Sequence, residues 1–175
     1  MNIIWHGHSC FEITGKDGTI VFDPYQANSV PGLNSLKLKA NLVLCSHEHD
    51  DHNARNCVEV APKDFKVTCI ETYHDHHQGS HRGKNTIHIV DFEDLKVVHM
   101  GDIGCMMDDV SKLKNCDVLM IPIGGYYTID TKEALKYIER IQPRIVIPMH
   151  YHSHEFGYDV LSTNEGFIQK SSNIV

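Results

Sequence analysis

The segment Ser46-His47-Glu48-His49-Asp50-Asp51-His52 places three histidines and two aspartates in an H-x-H-x-D-H pattern. In an extended turn His47 and His49 point to the same side, while Asp51 and His52, one step later, can serve a neighbouring ion. One loop can thus hold most of two metal shells. Two divalent ions about 3.5 to 4 Å apart that share a water or hydroxide form a hydrolytic device. The rival zinc motif H-E-x-x-H does not fit, because position 51 is Asp where the second His would have to fall. A seven-residue loop cannot complete two shells, so other strand ends must contribute. His150 follows the apolar run Ile145-Val146-Ile147-Pro148-Met149, and Asp102 follows Val97-Val98-His99-Met100-Gly101. Both are expected ligands, and the carboxylate of Asp102 suits a bridge because its oxygens can bind two ions at once.

The stretch from Tyr73 to Asn85 carries four histidines. His74, nearest the preceding strand, is the expected ligand, with His76, His77 and His81 as loop histidines at the mouth. Arg82 and Lys84 are suited to an anionic substrate group, with a solvated basic loop as the competing reading. His6, His8, His99 and Asp23 are candidates for orienting the ligating imidazoles. A surface or packing role competes for each, most strongly for His6. Gly124 and Gly125 are candidate N–H donors to substrate, with Tyr126 or Tyr127 as a wall, although Gly-Gly after a strand also serves as a plain turn. Asp51 is expected both to ligate an ion and to orient or deprotonate the attacking water. Neither Ser9 nor Ser46 sits in the G-x-S-x-G setting of a nucleophile elbow.

These residues need strands to aim them. Runs rich in Val, Ile and aromatics predict strands over 2–5, 10–14, 19–23, 41–45, 66–70, 86–90, 95–99, 117–121 and 144–148. Gly15-Lys16-Asp17-Gly18 carries a hairpin signal, so the chain should open with an antiparallel meander. Apolar spacing predicts a helix over 132–141, capped by Asp130 with Glu133 and stopped by Pro143. Shorter helices are expected over 108–114 and 164–170. Strands first, then strand-helix alternation, imply an α/β (α+β) chain of sheets covered by helices. The expected strands run straight into Asp23-Pro24, Ser46-His47, Tyr73-His74, Gly101-Asp102 and Met149-His150, which suits a site on one rim of a sheet.

Composition supports this. The 175 residues include 14 histidines, and histidine is the commonest ligand for borderline metals. Length fits a single domain, 1–175. No apolar run approaches the ~20 residues of a membrane span. The first residues have neither a cationic stretch nor an apolar segment of signal-peptide length, so a cytoplasmic location is expected. The six cysteines form no C-x-x-C pair and are expected to be packed thiols. A net charge of -7 disfavours nucleic acid as a partner.

The H-x-H-x-D-H loop, a downstream His, Gly101-Asp102 and the strand-end His150 occur in the order of the metallo-β-lactamase superfamily, which the chain resembles over nearly its whole length. Gly7-His8-Ser9, Asp23-Pro24, Pro122-Ile123-Gly124-Gly125 and Ile147-Pro148-Met149-His150-Tyr151 resemble its small bacterial and archaeal metal-dependent hydrolases, close to the ascorbate-phosphate lactonase branch. The resemblance implies a four-layer αββα sandwich. It also implies one ion on His47, His49 and His74 and another on Asp51, His52 and His150, with Asp102 between. The short spacing from His52 to His74 cuts back the usual lid, and no long arm for tRNA precursors is present. The expected activity is hydrolysis of an ester, lactone or phosphoester in a small molecule by a hydroxide held between two ions, Zn2+ with Mn2+ or Fe2+ as alternatives. The rival readings are a nucleotide phosphodiesterase and a non-catalytic zinc-binding or sensor protein. The oligomeric state is not fixed by the sequence.

Overall fold

The computed structural model describes residues 1–171. In chain order the strands are β1 (Asn2–Gly7), β2 (Cys10–Gly15), β3 (Gly18–Phe22), β4 (Leu38–Ala40), β5 (Leu42–Leu44), β6 (Val58–Val60), β7 (Lys66–Tyr73), β8 (Lys84–Phe92), β9 (Leu95–His99), β10 (Val118–Pro122) and β11 (Ile145–Met149). Every expected strand is present. The β4 and β6 pair was not foreseen, because three residues are too few to show a period. The strands form one sheet in the order β1-β2-β3-β5, a second in the order β11-β10-β9-β8-β7, and the small β4-β6 ribbon.

The opening meander is antiparallel, and Gly15 pairs with Gly18 across a two-residue loop. Gly18 turns at φ 126°, a region that an L side chain rarely adopts.

Pairing directions decide where the loops gather. In the first sheet β2 runs against both β1 and β3, and β5 runs with β3. In the second sheet β8 runs against both β7 and β9, while β9, β10 and β11 run together. Strands β1, β3 and β5 therefore finish on one rim of the first sheet, and β7, β9, β10 and β11 finish on one rim of the second.

Alternation along the strands builds the layers. Phe11, Ile13, Ile20 and Phe22 of the first sheet pack against Val90, Phe92, Val97, Val118, Met120 and Met149 of the second. The alternate residues Ile87, Ile89, Val98, Leu119 and Ile121 face away, toward α1 (Thr131–Ile141) and α2 (Glu165–Lys170). Helix α1 has the expected capping box, with Asp130 accepting from the Glu133 N–H, and buries Ala134, Tyr137 and Ile141. The outer face of the first sheet, including Cys10 and Val21, is covered by Tyr25, Val30, Leu36, Ala40 and Val58. The αββα layering thus takes a reduced form, in which coil and the β4-β6 ribbon cover this side. Pro24, Pro31 and Gly32 deny that segment a helix.

The helix expected over 108–114 shrinks to a single 3-10 turn, Ser111–Leu113. Asp109 accepts from both the N–H and the hydroxyl of Ser111, a local bond that competes with helix extension. All six cysteines are free thiols, and among the described residues no helix is long and apolar enough to cross a membrane. Asp130→Ala should cost about 1 kcal/mol of stability in urea unfolding, the usual worth of an N-cap. Its metal content should be unchanged, because α1 supplies none of the clustered ligands.

Candidate metal centre

Each rim loop delivers a chemically active side chain, and an unusual backbone often aims it. His8, Asp23 and His150 directly follow β1, β3 and β11 and take φ 52°, 42° and 53°. Non-glycine residues in this region carry strain of order 1–3 kcal/mol, which persists only where the surroundings enforce it.

Asp23 lies fully buried at the root of the site. Its Oδ1 accepts from the Ser46 N–H at 2.6 Å, and its Oδ2 accepts from the Ser46 hydroxyl at 2.6 Å and from His52 Nδ1 at 2.8 Å. Burial alone would raise this carboxyl, but the His52 imidazole overrides it and holds the group well below the usual carboxylate range. Because the Ser46 hydroxyl donates to Asp23, it accepts from His47 Nδ1 at 2.9 Å. One carboxylate therefore fixes two tautomers. Nε2 of both rings is thereby turned to the centre, buried and without a hydrogen-bond partner.

The loop carrying these rings is pinned elsewhere as well. Gln26 N–H donates to Asp50 O, Ala54 N–H to Pro24 O, and Thr86 N–H to Ser46 O. His74 donates Nδ1–H to the Tyr127 carbonyl at 3.1 Å, so its Nε2 also turns inward. Asp102 sits at 1% exposure, and its Oδ2 lies 3.2, 3.4 and 2.9 Å from Nε2 of His52, His74 and His150. Its N–H donates to Asn85 Oδ1, while the Asn85 amide grips Thr72 Oγ1 and Met100 O.

Two ligand groups result. Donor atoms of His47, His49 and His74 lie within 4.8 Å of one another, as do those of His8, Asp51, His52 and His150; His47, His52 and Asp102 form a third set spanning both. All seven residues expected as ligands meet here. The donor chemistry fits divalent ions: imidazoles, carboxylates and buried nitrogens without a partner. Burial, with the neighbouring His52, drives the His47 imidazole down to about 3, and burial with His150 drives His8 down to about 4. Both rings are thus neutral and ready to bind metal. Burial also opposes the charged form of His52, but Asp102, Asp51 and Asp23 outweigh it and push this group well above its ordinary value.

The remaining candidates separate. Arg82 and Lys84 line a cleft of about 430 Å³ with Ser46, His47 and His49, and the Arg82 guanidinium lies 5.3 Å from the Tyr127 ring centre. Asp75 shapes this loop by accepting from the N–H groups of His77, Gly79, His81 and Arg82. His77 and His81 stack on each other, and His76 meets Glu133. Another cleft of about 410 Å³, beside Ile70, Tyr73 and Met106, touches none of the clustered ligands.

His99 stacks on Phe22 and bonds to the Ser9 carbonyl, supporting the Gly101 turn, whereas His6 pairs with Glu12 away from the site. The Gly125 N–H is taken by Ile129 O, so it is a turn donor and not a substrate donor. A Cβ on Gly124 would stand 2.1 Å from the His150 carbonyl oxygen, so that glycine serves close packing beneath a ligand. Sequence reasoning missed Asn85, Tyr158 and the ligand-like position of His8. Tyr158 donates to Ser29 O at 2.7 Å and reaches Asp51 Oδ2 at 3.3 Å. Only the Gly-His-Ser run after a strand carried any signal, and that for His8 alone.

A family model described as β-lactamase superfamily domain matches residues 2–150. The chain belongs to the metallo-β-lactamase superfamily. A UPF0173 metal-dependent hydrolase of Staphylothermus marinus is 30% identical over 194 residues, covering 84% of this chain and 82% of the relative. A namesake from Thermoplasma acidophilum is 29% identical, covering 87% and 84%. A Thermotoga maritima structure assigned to the superfamily matches with a TM-score of 0.75 at 27% identity, covering 98% of this chain and 86% of that one. Family, fold and clustered ligands make the chain a metal-dependent hydrolase of this superfamily.

Asp23→Asn would set an amide against the His52 N–H and Ser46 donors. Metal affinity, followed by titration of metal-stripped protein, should fall about 10- to 100-fold, as when other partners that orient a ligating imidazole are removed.

Proposed function

We propose that this superfamily member uses two divalent ions, Zn2+ before Mn2+ or Fe2+, to hydrolyse an ester, lactone or phosphoester bond in a small anionic molecule. The observation that carries the reading is the pair of ligand groups meeting at Asp102, with His47 and His49 of one group opening on a cleft that also holds Arg82 and Lys84. Bound divalent ions act as Lewis acids and make water nucleophilic at neutral pH.

The chain's own groups supply the rest. Asp51 Oδ2 lies 3.2 Å from His8 Nε2 and 3.3 Å from the Tyr158 hydroxyl, whose hydrogen goes to Ser29 O at 2.7 Å, and the carboxylate so placed can orient water and accept its proton. Arg82, backed by Tyr126 and Tyr127, presents a planar fork to a phosphate or carboxylate. Ser46 spends its hydroxyl on Asp23 and His47, which removes it as a nucleophile. The fully buried Ser9 lies beside the His99 contact. The lactonase branch that the sequence resembles is one form of this reading.

A turnover screen over lactones, phosphodiesters and thioesters, on protein loaded with each metal, tests it. Activity should vanish on chelation and return at two ions per chain. Tight binding of more than two ions without turnover would instead indicate storage or sensing. Asp51→Asn should lose several kcal/mol of transition-state stabilisation, read from kcat/KM. Arg82→Ala should cost about 1.5 to 3 kcal/mol in kcat/KM for an anionic substrate and leave a neutral ester of the same bond almost unaffected.

A further inference from the structure

The two ligand groups differ in depth and in number. The outer group has three imidazoles, of which His49 is exposed and His47 and His74 are buried. The inner group has four side chains, and its histidines, His8, His52 and His150, are all at 1% exposure or less. The ring of His8 stands 4.1 Å from His150 and 5.3 Å from His52, centre to centre, and its Nε2 lies 3.2 Å from Asp51 Oδ2. His8 Nδ1, His52 Nε2 and His150 Nδ1 are buried polar atoms without a hydrogen-bond partner among the described residues. A ring nitrogen buried without a partner is costly, and each of the three imidazoles in this group carries one. Each ring can offer one nitrogen to a shared cation, and the single contact of His8 Nε2 with Asp51 leaves the other nitrogen of that ring without a partner. The strained backbone at His8 holds the ring in place, and the His150 N–H anchors it by donating to the His8 carbonyl at 3.3 Å.

We infer that His8 is a fourth protein ligand of the inner ion, beside Asp51, His52 and His150, and that the two positions of the centre are therefore unequal. With Asp102 common to both positions, the inner one has one protein ligand more than the outer, and fewer places on its ion are left for water or substrate. The inner position is thus the tighter, anchoring one. The outer position, on His47, His49 and His74, borders the cleft and presents the reacting face. The outer half of this inference rests on the two-ion reading, and the role of His8 does not.

Titration of the metal-stripped protein with Zn2+ should resolve two binding steps. His8→Asn suits the test because asparagine tolerates a left-handed backbone. It should weaken the tighter step about 100-fold and leave the weaker step within about twofold, and His49→Ala should do the reverse. Equal weakening of both steps by His8→Asn, or of neither, overturns the inference. Wild-type protein crystallised with one equivalent of Zn2+ provides a check that requires no variant to fold. An anomalous peak about 2.0 to 2.1 Å from a His8 nitrogen supports the proposal, and a peak among His47, His49 and His74 overturns it. If the wild-type chain binds a single ion and loses it in His8→Asn, the two-ion reading fails while the role of His8 stands.

Discussion

The centre depends on one buried carboxylate. Asp23 has no exposure to solvent, and it spends its oxygens on the Ser46 N–H, the Ser46 hydroxyl and the His52 imidazole. A buried anion is costly unless hydrogen bonds and a cation compensate it. Here the compensating partners are the groups that must be oriented for metal binding. Through Ser46 the constraint reaches His47, so a single negative charge decides which nitrogen two rings present. Without that constraint the H-x-H-x-D-H loop would offer the right residue types in an undefined order of tautomers.

Strand direction decides which loops can join that loop. Every strand that ends in an active side chain runs the same way within its sheet, and the two oppositely directed strands, β2 and β8, carry none of the ligands at their ends. Ligands converge on one rim for the reason that open α/β sheets generally bind at strand carboxyl ends. Three of the residues that turn onto the rim do so through left-handed backbone, strain that the packed sheets beneath can sustain.

Burial grades the site from inside to outside. Asp23, His8, His52 and Asp102 sit in the dry interior, where a carboxylate and an imidazole interact strongly. His49 and Arg82 meet solvent at the cleft, where charge can select a ligand, while Lys84 beside them pairs with Glu71. That gradient separates holding an ion from acting on a substrate.

The sequence by itself determined nine of the eleven strands, the capped helix and seven of the eight clustered donor residues, because alternation, a capping box and clustered histidines are local signals. It reached His47, His49, Asp51, His52, His74, Asp102 and His150 because each stands at or just beyond a strand end in a setting of ligand-type residues. The 3-10 turn in place of a helix over 108–114 comes with two Asp109 side-chain bonds to Ser111 that spacing does not show. The roles of Asn85, Tyr158 and His8 lay beyond local reading. Asn85 reaches Asp102 across 17 residues, His8 reaches Asp51 across 43, and Tyr158 reaches Asp51 across 107. Gly125 likewise read as a free donor until the fold supplied Ile129 O as its acceptor. Residue type and spacing state what a side chain can do. Only the parallel and antiparallel pairing of the sheets decides which partners stand within three ångströms or so, and so which imidazole joins a donor cluster and which props another group.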